Sequence, residues 1–302
     1  MGIALEPTTP AGRAGLAAVL ADPAAAVVAL DFDGTLAPIV ADPEQAFAHP
    51  GVAAALTRLG PLVGAVAVVT GRPVAGAVRL GGFDRLPAAA QPVVLGHYGA
   101  ERWERGELTA PEPHPGVAAV RAALPALLAE LTGASPLGAA LDGATVEDKE
   151  RSVAVHTRRA AEPQAALELL RVPLAELAAT HGLAVEPGRL VLELRPPGVD
   201  KGVALTGFLR ERGARSVLYA GDDLGDLAAY AAVDRLRGGA AAGPGGTDPR
   251  GAQLAGLLVA SGPVTGEPPV RELADRADLV VPGPAGVVEL LERLGQELSS
   301  AS

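Results

Sequence analysis

Short runs of β-branched and small apolar residues alternate along this chain with longer alanine- and leucine-rich segments of helical period, the rhythm that βαβ units around a parallel sheet require. The spacing predicts buried strands over 26–32, 65–70, 93–95, 216–220, 256–260 and 278–281. It predicts helices over 52–59, 74–80, 203–211, 224–233, 270–276 and 285–294. The rhythm breaks in the middle. After the proline-rich "TAPEPHPG", a helix over 117–131 leads into two strands within "GAALDGATVEDK" and "RSVAVHTRR". A second helix over 163–181 then leads into the strand pair "LAVEPGRLVLELRP". Two repeats of helix plus antiparallel hairpin mark a compact α+β unit inserted into the sheet domain. Residues 1–105 and 197–302 are expected to form the core and 106–196 the insertion, a division that suits a chain of 302 residues.

Composition removes several classes of function. The formal net charge is −10, and no dense Lys/Arg block is present to release counterions from a nucleic acid. There is no cysteine, which excludes disulfides, thiolate catalysis and cysteine metal sites and fits a reducing compartment. The five histidines, at 49, 97, 114, 156 and 181, have no HxxxH-type spacing, so a zinc site is not expected. The opening "MGIALEPTTPAGRAG" lacks a basic region followed by an apolar core, and no segment reaches the roughly eighteen clean apolar residues of a membrane span. A cytoplasmic protein with no membrane or nucleic-acid partner is expected, and with no heptad seam, a monomer. The glycine-dense "GGAAAGPGGTDPRG", 238–251, reads as a mobile surface loop.

In an open parallel sheet the ligand sits beyond the carboxyl ends of the strands, and the unusual residues of this chain gather there. The run "VVALDFDGTLAPIV" ends on Asp31 and Asp33, and "VVTGRP" supplies Thr70 and Arg72. "YAGDDLGD" supplies Asp222, Asp223 and Asp226, while "PPGVDKG" sets Lys201 at a helix start. Carboxylates this close raise one another's pKa or demand a cation between them. A hard divalent ion, Mg²⁺, held by Asp31, Asp33, Asp222, Asp223 and Asp226 resolves that conflict and neutralises a substrate phosphate. Asp31 is then the nucleophile that forms an aspartyl-phosphate, and Asp33 the acid that protonates the leaving oxygen and later activates water. Thr70 and Lys201 are expected to hold the phosphoryl oxygens, with Arg72 among the substrate contacts.

This combination resembles the haloacid dehalogenase superfamily, whose phosphatases carry DxDGT, a Ser/Thr strand end, a lysine and a GDxxxD acid pair in this order. The resemblance implies a Rossmann-like α/β core with the insertion as an α/β cap that sets specificity. Within that branch, "VEDKERSVAVHTRR", "EPGRLVLELRP" and "GHYGAE" are similar to the trehalose-6-phosphate phosphatase family. Carboxylates accept from sugar hydroxyls while Lys, Arg and His donate to them, so these stretches suit a polyol. The resemblance assigns sugar contacts to Glu147, Lys149, Arg189 and Glu193, and also to His97, His156, Arg158 and Arg195. It implies hydrolysis of trehalose 6-phosphate, a small-molecule partner, and coupling to a trehalose-6-phosphate synthase. A phosphatase of another sugar phosphate, such as a glucosyl- or mannosyl-phosphoglycerate, and an inactive sugar-phosphate sensor are the alternatives. Two departures stand out. The usual His-Gly-x-Glu becomes His97-Tyr98-Gly99-Ala100-Glu101, and the Thr-Asp-Glu after the acid pair becomes Gly225-Asp226-Leu227.

Overall fold

The apolar runs are unbroken rather than alternating because their strands are covered on both faces, as parallel strands in α/β proteins are. In this computed structural model, residues 5–40, 42–134, 136–188, 190–238, 254–262 and 270–301 are described. In chain order the elements are α1 (Pro10–Ala21), β1 (Ala26–Leu30), α2 (Val52–Leu59), β2 (Ala65–Val69), α3 (Val74–Gly81), β3 (Val93–Gly96), β4 (Glu101–Glu104), β5 (Glu107–Thr109), α4 (Pro115–Ala134), β6 (Thr145–Asp148), β7 (Val153–His156), α5 (Pro163–Thr180), β8 (Ala184–Gly188), β9 (Val191–Arg195), α6 (Lys201–Arg212), β10 (Ser216–Gly221), α7 (Leu227–Arg237), β11 (Ala255–Gly262), α8 (Arg271–Ala274), β12 (Leu279–Pro282) and α9 (Gly283–Ala301). They divide into two compact units, Met1–Ala110 with Asp200–Ser302, and Pro111–Val199.

The larger unit is built on an eight-stranded sheet in the order β12-β11-β10-β1-β2-β3-β4-β5. Pairing is parallel from β12 to β3 and antiparallel from β3 to β5. Successive side chains on each strand enter opposite cores. Val28 and Leu30 pack with residues of α1, α2, α3 and α9, whereas Val27 and Ala29 pack with residues of α6, α7 and α8. All six predicted core strands are present within one or two residues of their expected ends. The helix expected over 224–233 is split: a 3-10 turn, Leu224–Asp226, precedes α7. Helix α1 and strands β4 and β5 have no counterpart among the expected elements. Because β5 pairs with β4, the larger unit extends to Ala110 instead of stopping near residue 105.

The inserted unit is a four-stranded antiparallel sheet, β6-β7-β9-β8, with α4 and α5. Val153, Val155, Leu192 and Leu194 form its core with Val120, Leu124, Leu170 and Leu174 of the two helices. Residues of opposite parity, Glu147, Ala154, Glu193 and Glu186, stand in one row across the other face. Among the described residues one stretch, Pro115–Gly133 of α4, is long and apolar enough by composition to cross a membrane. Its Val117, Val120 and Leu124 are buried in the core of the inserted unit.

Candidate active site

β1 and β10 are neighbours, so the acids beyond their carboxyl ends meet. Asp31 follows β1 directly; its N–H donates to the Ala220 carbonyl at 2.9 Å, which prolongs the pairing by one residue. Lys201 opens α6 because Asp200 caps that helix, accepting from the Val203 N–H at 2.8 Å. The Lys201 Nζ lies 2.8 Å from Asp31 Oδ1 and 2.8 Å from Asp226 Oδ1, and all three side chains are buried. Charges are tolerated at that depth only when paired. Burial alone would lower the Lys201 pKa, but Asp226 and Asp31 outweigh it and hold the ammonium well above the ordinary lysine value. Burial raises the Asp31 carboxyl well above the usual carboxylate range, with Lys201 pulling it back and Asp226 and Asp223 pushing it further.

Asp226 is the organising residue. Its Oδ1 accepts from Lys201 and from the Tyr219 hydroxyl at 2.6 Å, and its Oδ2 accepts from the N–H groups of Asp222 at 2.9 Å and Asp223 at 3.2 Å. A carboxylate has about four lone-pair directions, and these donors fill them. The side chain folds so closely over Gly221 that a Cβ there would stand 2.3 Å from the Asp226 Cγ, which is why only glycine fits. Carboxylate oxygens of Asp31, Asp222, Asp223 and Asp226 lie within 4.8 Å of one another. Burial and the nearby Asp31 also raise the Asp222 carboxyl. This is a set of hard oxygen donors in mutual repulsion, and it fits a divalent cation such as Mg²⁺. With Asp226 saturated by protein donors, Asp31, Asp222 and Asp223 are the side chains left to hold the ion.

Asp33 does not join them, contrary to expectation. It begins a turn closed by the bond from the Gly34 N–H to the Ala37 carbonyl, 2.7 Å, and Gly34 has φ +72°. A Cβ on Gly34 would stand 2.0 Å from Asp222 Oδ2, so the turn fits only with glycine there. β1 lies between β10 and β2, and the Asp33 carboxylate faces the β2 side. There Arg72 donates to it through both Nε (2.7 Å) and Nη2 (2.6 Å). Arg72, expected among substrate contacts, is therefore the partner of Asp33. The buried Thr70 Oγ1 accepts from the Arg72 N–H at 3.1 Å, joining β2's end to the same chain of contacts.

His97 is likewise displaced from its expected role. It and Tyr98 adopt φ of +46° and +59°, a double left-handed turn that points the imidazole inward, where it is 3% exposed with Nε2 3.8 Å from Glu101 Oε1. The segment braces the turn that carries Thr70 and Arg72. The N–H of His97 donates to the Arg72 carbonyl and that of Tyr98 to the Thr70 carbonyl, both at 2.9 Å, while Glu101 accepts from the Val74 N–H at 2.9 Å. Tyr219 was not foreseen at all: inside "SVLYAG" it reads as a core aromatic, and nothing local signals the Asp226 that its hydroxyl meets.

In the inserted unit most of the expected polar residues share the sheet face opposite its apolar core. Glu193 accepts from Lys149 Nζ at 3.1 Å and from the Ser152 hydroxyl at 2.6 Å, and Lys149 is 4.0 Å from Glu147. Glu147 also meets His156 Nε2 at 2.8 Å, and Arg195 meets Glu186 at 2.9 Å. Burial opposes ionisation of Glu193, but Lys149, Ser152 and Arg195 outweigh it and hold its carboxyl below the usual range. Arg158 stands exposed in the turn after β7 and takes no part in this network. Arg189 and the glycine-dense loop beyond Gly238 lie outside the described residues.

A family model described as trehalose-phosphatase matches residues 138–244. A probable trehalose-phosphate phosphatase of Sinorhizobium fredii is 35% identical over 212 residues, covering 69% of this chain and 74% of the relative. The chain spans about half, 51%, of the length of the trehalose-phosphate phosphatases it matches in Mycolicibacterium paratuberculosis and Mycobacterium avium. Among solved structures, the C-terminal domain of the Candida albicans trehalose-6-phosphate phosphatase superposes with a TM-score of 0.69 at 20% identity, covering 96% of this chain and 98% of that one. A haloacid dehalogenase-like hydrolase from Bacteroides thetaiotaomicron gives a TM-score of 0.56 at 18% identity over 88% and 98% of the two chains. Shared sequence over most of a relative, on a haloacid dehalogenase-like fold, establishes that this chain belongs to the trehalose-phosphate phosphatase family of phosphatases.

Proposed function

We propose that the chain hydrolyses trehalose 6-phosphate to trehalose and inorganic phosphate through a phosphoenzyme on Asp31. The observation that carries the reading is the buried Lys201 held 2.8 Å from Asp31 beside an acidic cluster, a nucleophile paired with an ammonium next to a seat for a cation. An Asp31 oxygen attacks phosphorus, the bond from phosphorus to the sugar oxygen breaks, and Asp33 gives that oxygen its proton. Water then attacks phosphorus, Asp33 takes a proton from it, and Asp31 is restored as phosphate leaves. In the arrangement seen, both Asp33 oxygens are occupied by Arg72, so the guanidinium has to release Asp33 for either transfer. Bound Mg²⁺ would supply charge neutralisation for the phosphate, with Asp31, Asp222 and Asp223 holding it. The lack of cysteine suits the cytoplasm as its compartment, and a trehalose-6-phosphate synthase would supply the substrate.

The test is phosphate release from a panel that includes trehalose 6-phosphate and glucosyl- and mannosyl-phosphoglycerate, with Mg²⁺ and again with EDTA. Fast release from trehalose 6-phosphate, lost in EDTA, is expected. Equal rates in EDTA would sink the metal assignment, and preference for another sugar phosphate would overturn the substrate.

The polar sheet face of the inserted unit is proposed to bind the sugar. Glu193→Gln removes a charged acceptor that Lys149 and Ser152 orient, a loss of about 1–3 kcal/mol that should raise KM for the sugar phosphate by roughly 5- to 150-fold. The kcat should stay within a factor of about three, since interactions equal in ground and transition states act on KM alone. A parental KM would remove this face from the substrate site.

A further inference from the structure

Ser261, near the end of β11, belongs to none of the motifs above and is 4% exposed. Its hydroxyl donates to the Gly34 carbonyl at 2.7 Å. β10 lies between β11 and β1 in the sheet, so this bond spans the end of β10 where Asp222 begins. Gly34 is pressed against the Asp222 carboxylate on one side and closes the Asp33–Ala37 turn with its own N–H. The turn is thus fixed from within by the Gly34–Ala37 bond and from outside by Ser261.

We propose that Ser261 is a positioning residue, whose hydroxyl pins the Gly34 carbonyl and so sets where the Asp33 carboxylate stands relative to Asp31. In a strand that otherwise serves the core, a buried hydroxyl directed at the catalytic turn has this as its clear use. A shift of about 1 Å in a reacting group costs on the order of a hundredfold in rate, so the bond matters more to turnover than to folding. The turnover half of the proposal rests on the reaction proposed above; the positioning half does not.

The experiment compares Ser261→Ala and Ser261→Thr with the parent in two readouts. In the first, kcat and KM are measured on the sugar phosphate the parent hydrolyses. Ser261→Ala should lower kcat by about 10- to 100-fold with KM within about threefold, and Ser261→Thr, which restores the hydroxyl, should recover most of it. In the second, amide hydrogen exchange is followed in the substrate-free protein. The amides of Gly34, Leu36 and Ala37 should exchange about tenfold faster in Ser261→Ala while those of β1 and β10 keep parental protection. Parental kcat and exchange in Ser261→Ala would overturn the proposal. So would equal losses in Ser261→Ala and Ser261→Thr, or faster exchange throughout the sheet, since either assigns Ser261 to packing. If the parent hydrolyses no sugar phosphate, the proposed function fails by itself and the exchange readout still decides whether Ser261 holds the turn.

Discussion

Asp31→Asn should lower phosphate release by about four orders of magnitude or more while leaving a protein that, in EDTA, melts no lower than its parent. The carboxamide matches the carboxylate in shape, and its oxygen can still accept from Lys201, but it is not a nucleophile for phosphorus. The stability half follows from the charge count. Asp31, Asp222, Asp223 and Asp226 crowd within 4.8 Å around a single lysine, and burial already raises the Asp31 and Asp222 carboxyls. Removing one negative charge relieves repulsion among those that remain. In EDTA the variant should therefore melt above the parent, and added Mg²⁺ should narrow or reverse the gap, because the parent then gains more from the cation. Melting curves in EDTA and in Mg²⁺, beside single-turnover phosphate release, check both halves. Residual turnover above about 1% would move the nucleophile elsewhere, and a lower melting point in EDTA would show that the cluster is not under repulsive strain.

What the sequence disclosed and what it hid divide along one physical line. Asp31, Lys201, Asp222 and Asp226 were legible because each follows an apolar run or opens a helix, and a parallel sheet brings such ends to one edge. Which atom of each side chain faces which partner was not legible, because that depends on turns and on neighbours distant in sequence. Asp33 looked equivalent to Asp31, yet the left-handed Gly34 turn delivers it to Arg72 on the opposite side of β1. His97 looked like a ligand at a strand end, but two positive-φ residues fold it into the interior. Tyr219 and Ser261 sit inside apolar strands where a polar atom has no periodic signature, and only the assembled sheet shows what each one reaches. Strands β4 and β5 escaped for a related reason: "ERWE" and "ELT" form the antiparallel edge of the sheet, with only Trp103 buried as a core residue, so the apolar run that marks a central strand is missing.

Lys201→Met should also lose turnover, though less than Asp31→Asn, and should be opposite in stability. Methionine roughly matches the length of the side chain and removes its charge, leaving Asp31 and Asp226 buried at 4% and 0% exposure with no cation between them. Breaking a buried pair from one side costs about 3–5 kcal/mol, since the partner's desolvation is no longer offset. At about 2–4 °C per kcal/mol, the melting point should fall by on the order of 10 °C. Turnover should fall by roughly a thousandfold, because Asp31 loses the charge that orients it and the phosphoryl oxygens lose a donor. Arginine is not an equivalent substitute: its guanidinium is longer and wider than the ammonium, and Asp31, Lys201 and Asp226 are all buried. The decisive comparison is the double variant Asp31→Asn/Lys201→Met. If Lys201 stabilises the fold through Asp31 as well as Asp226, adding Asp31→Asn to Lys201→Met will gain more stability than Asp31→Asn gains over the parent, and the cycle will show a coupling of about 1 kcal/mol or more. Single-variant effects that add within about 0.5 kcal/mol in urea melts would mean that Lys201 answers to Asp226 alone, and that Asp31 reaches its place in the site without it.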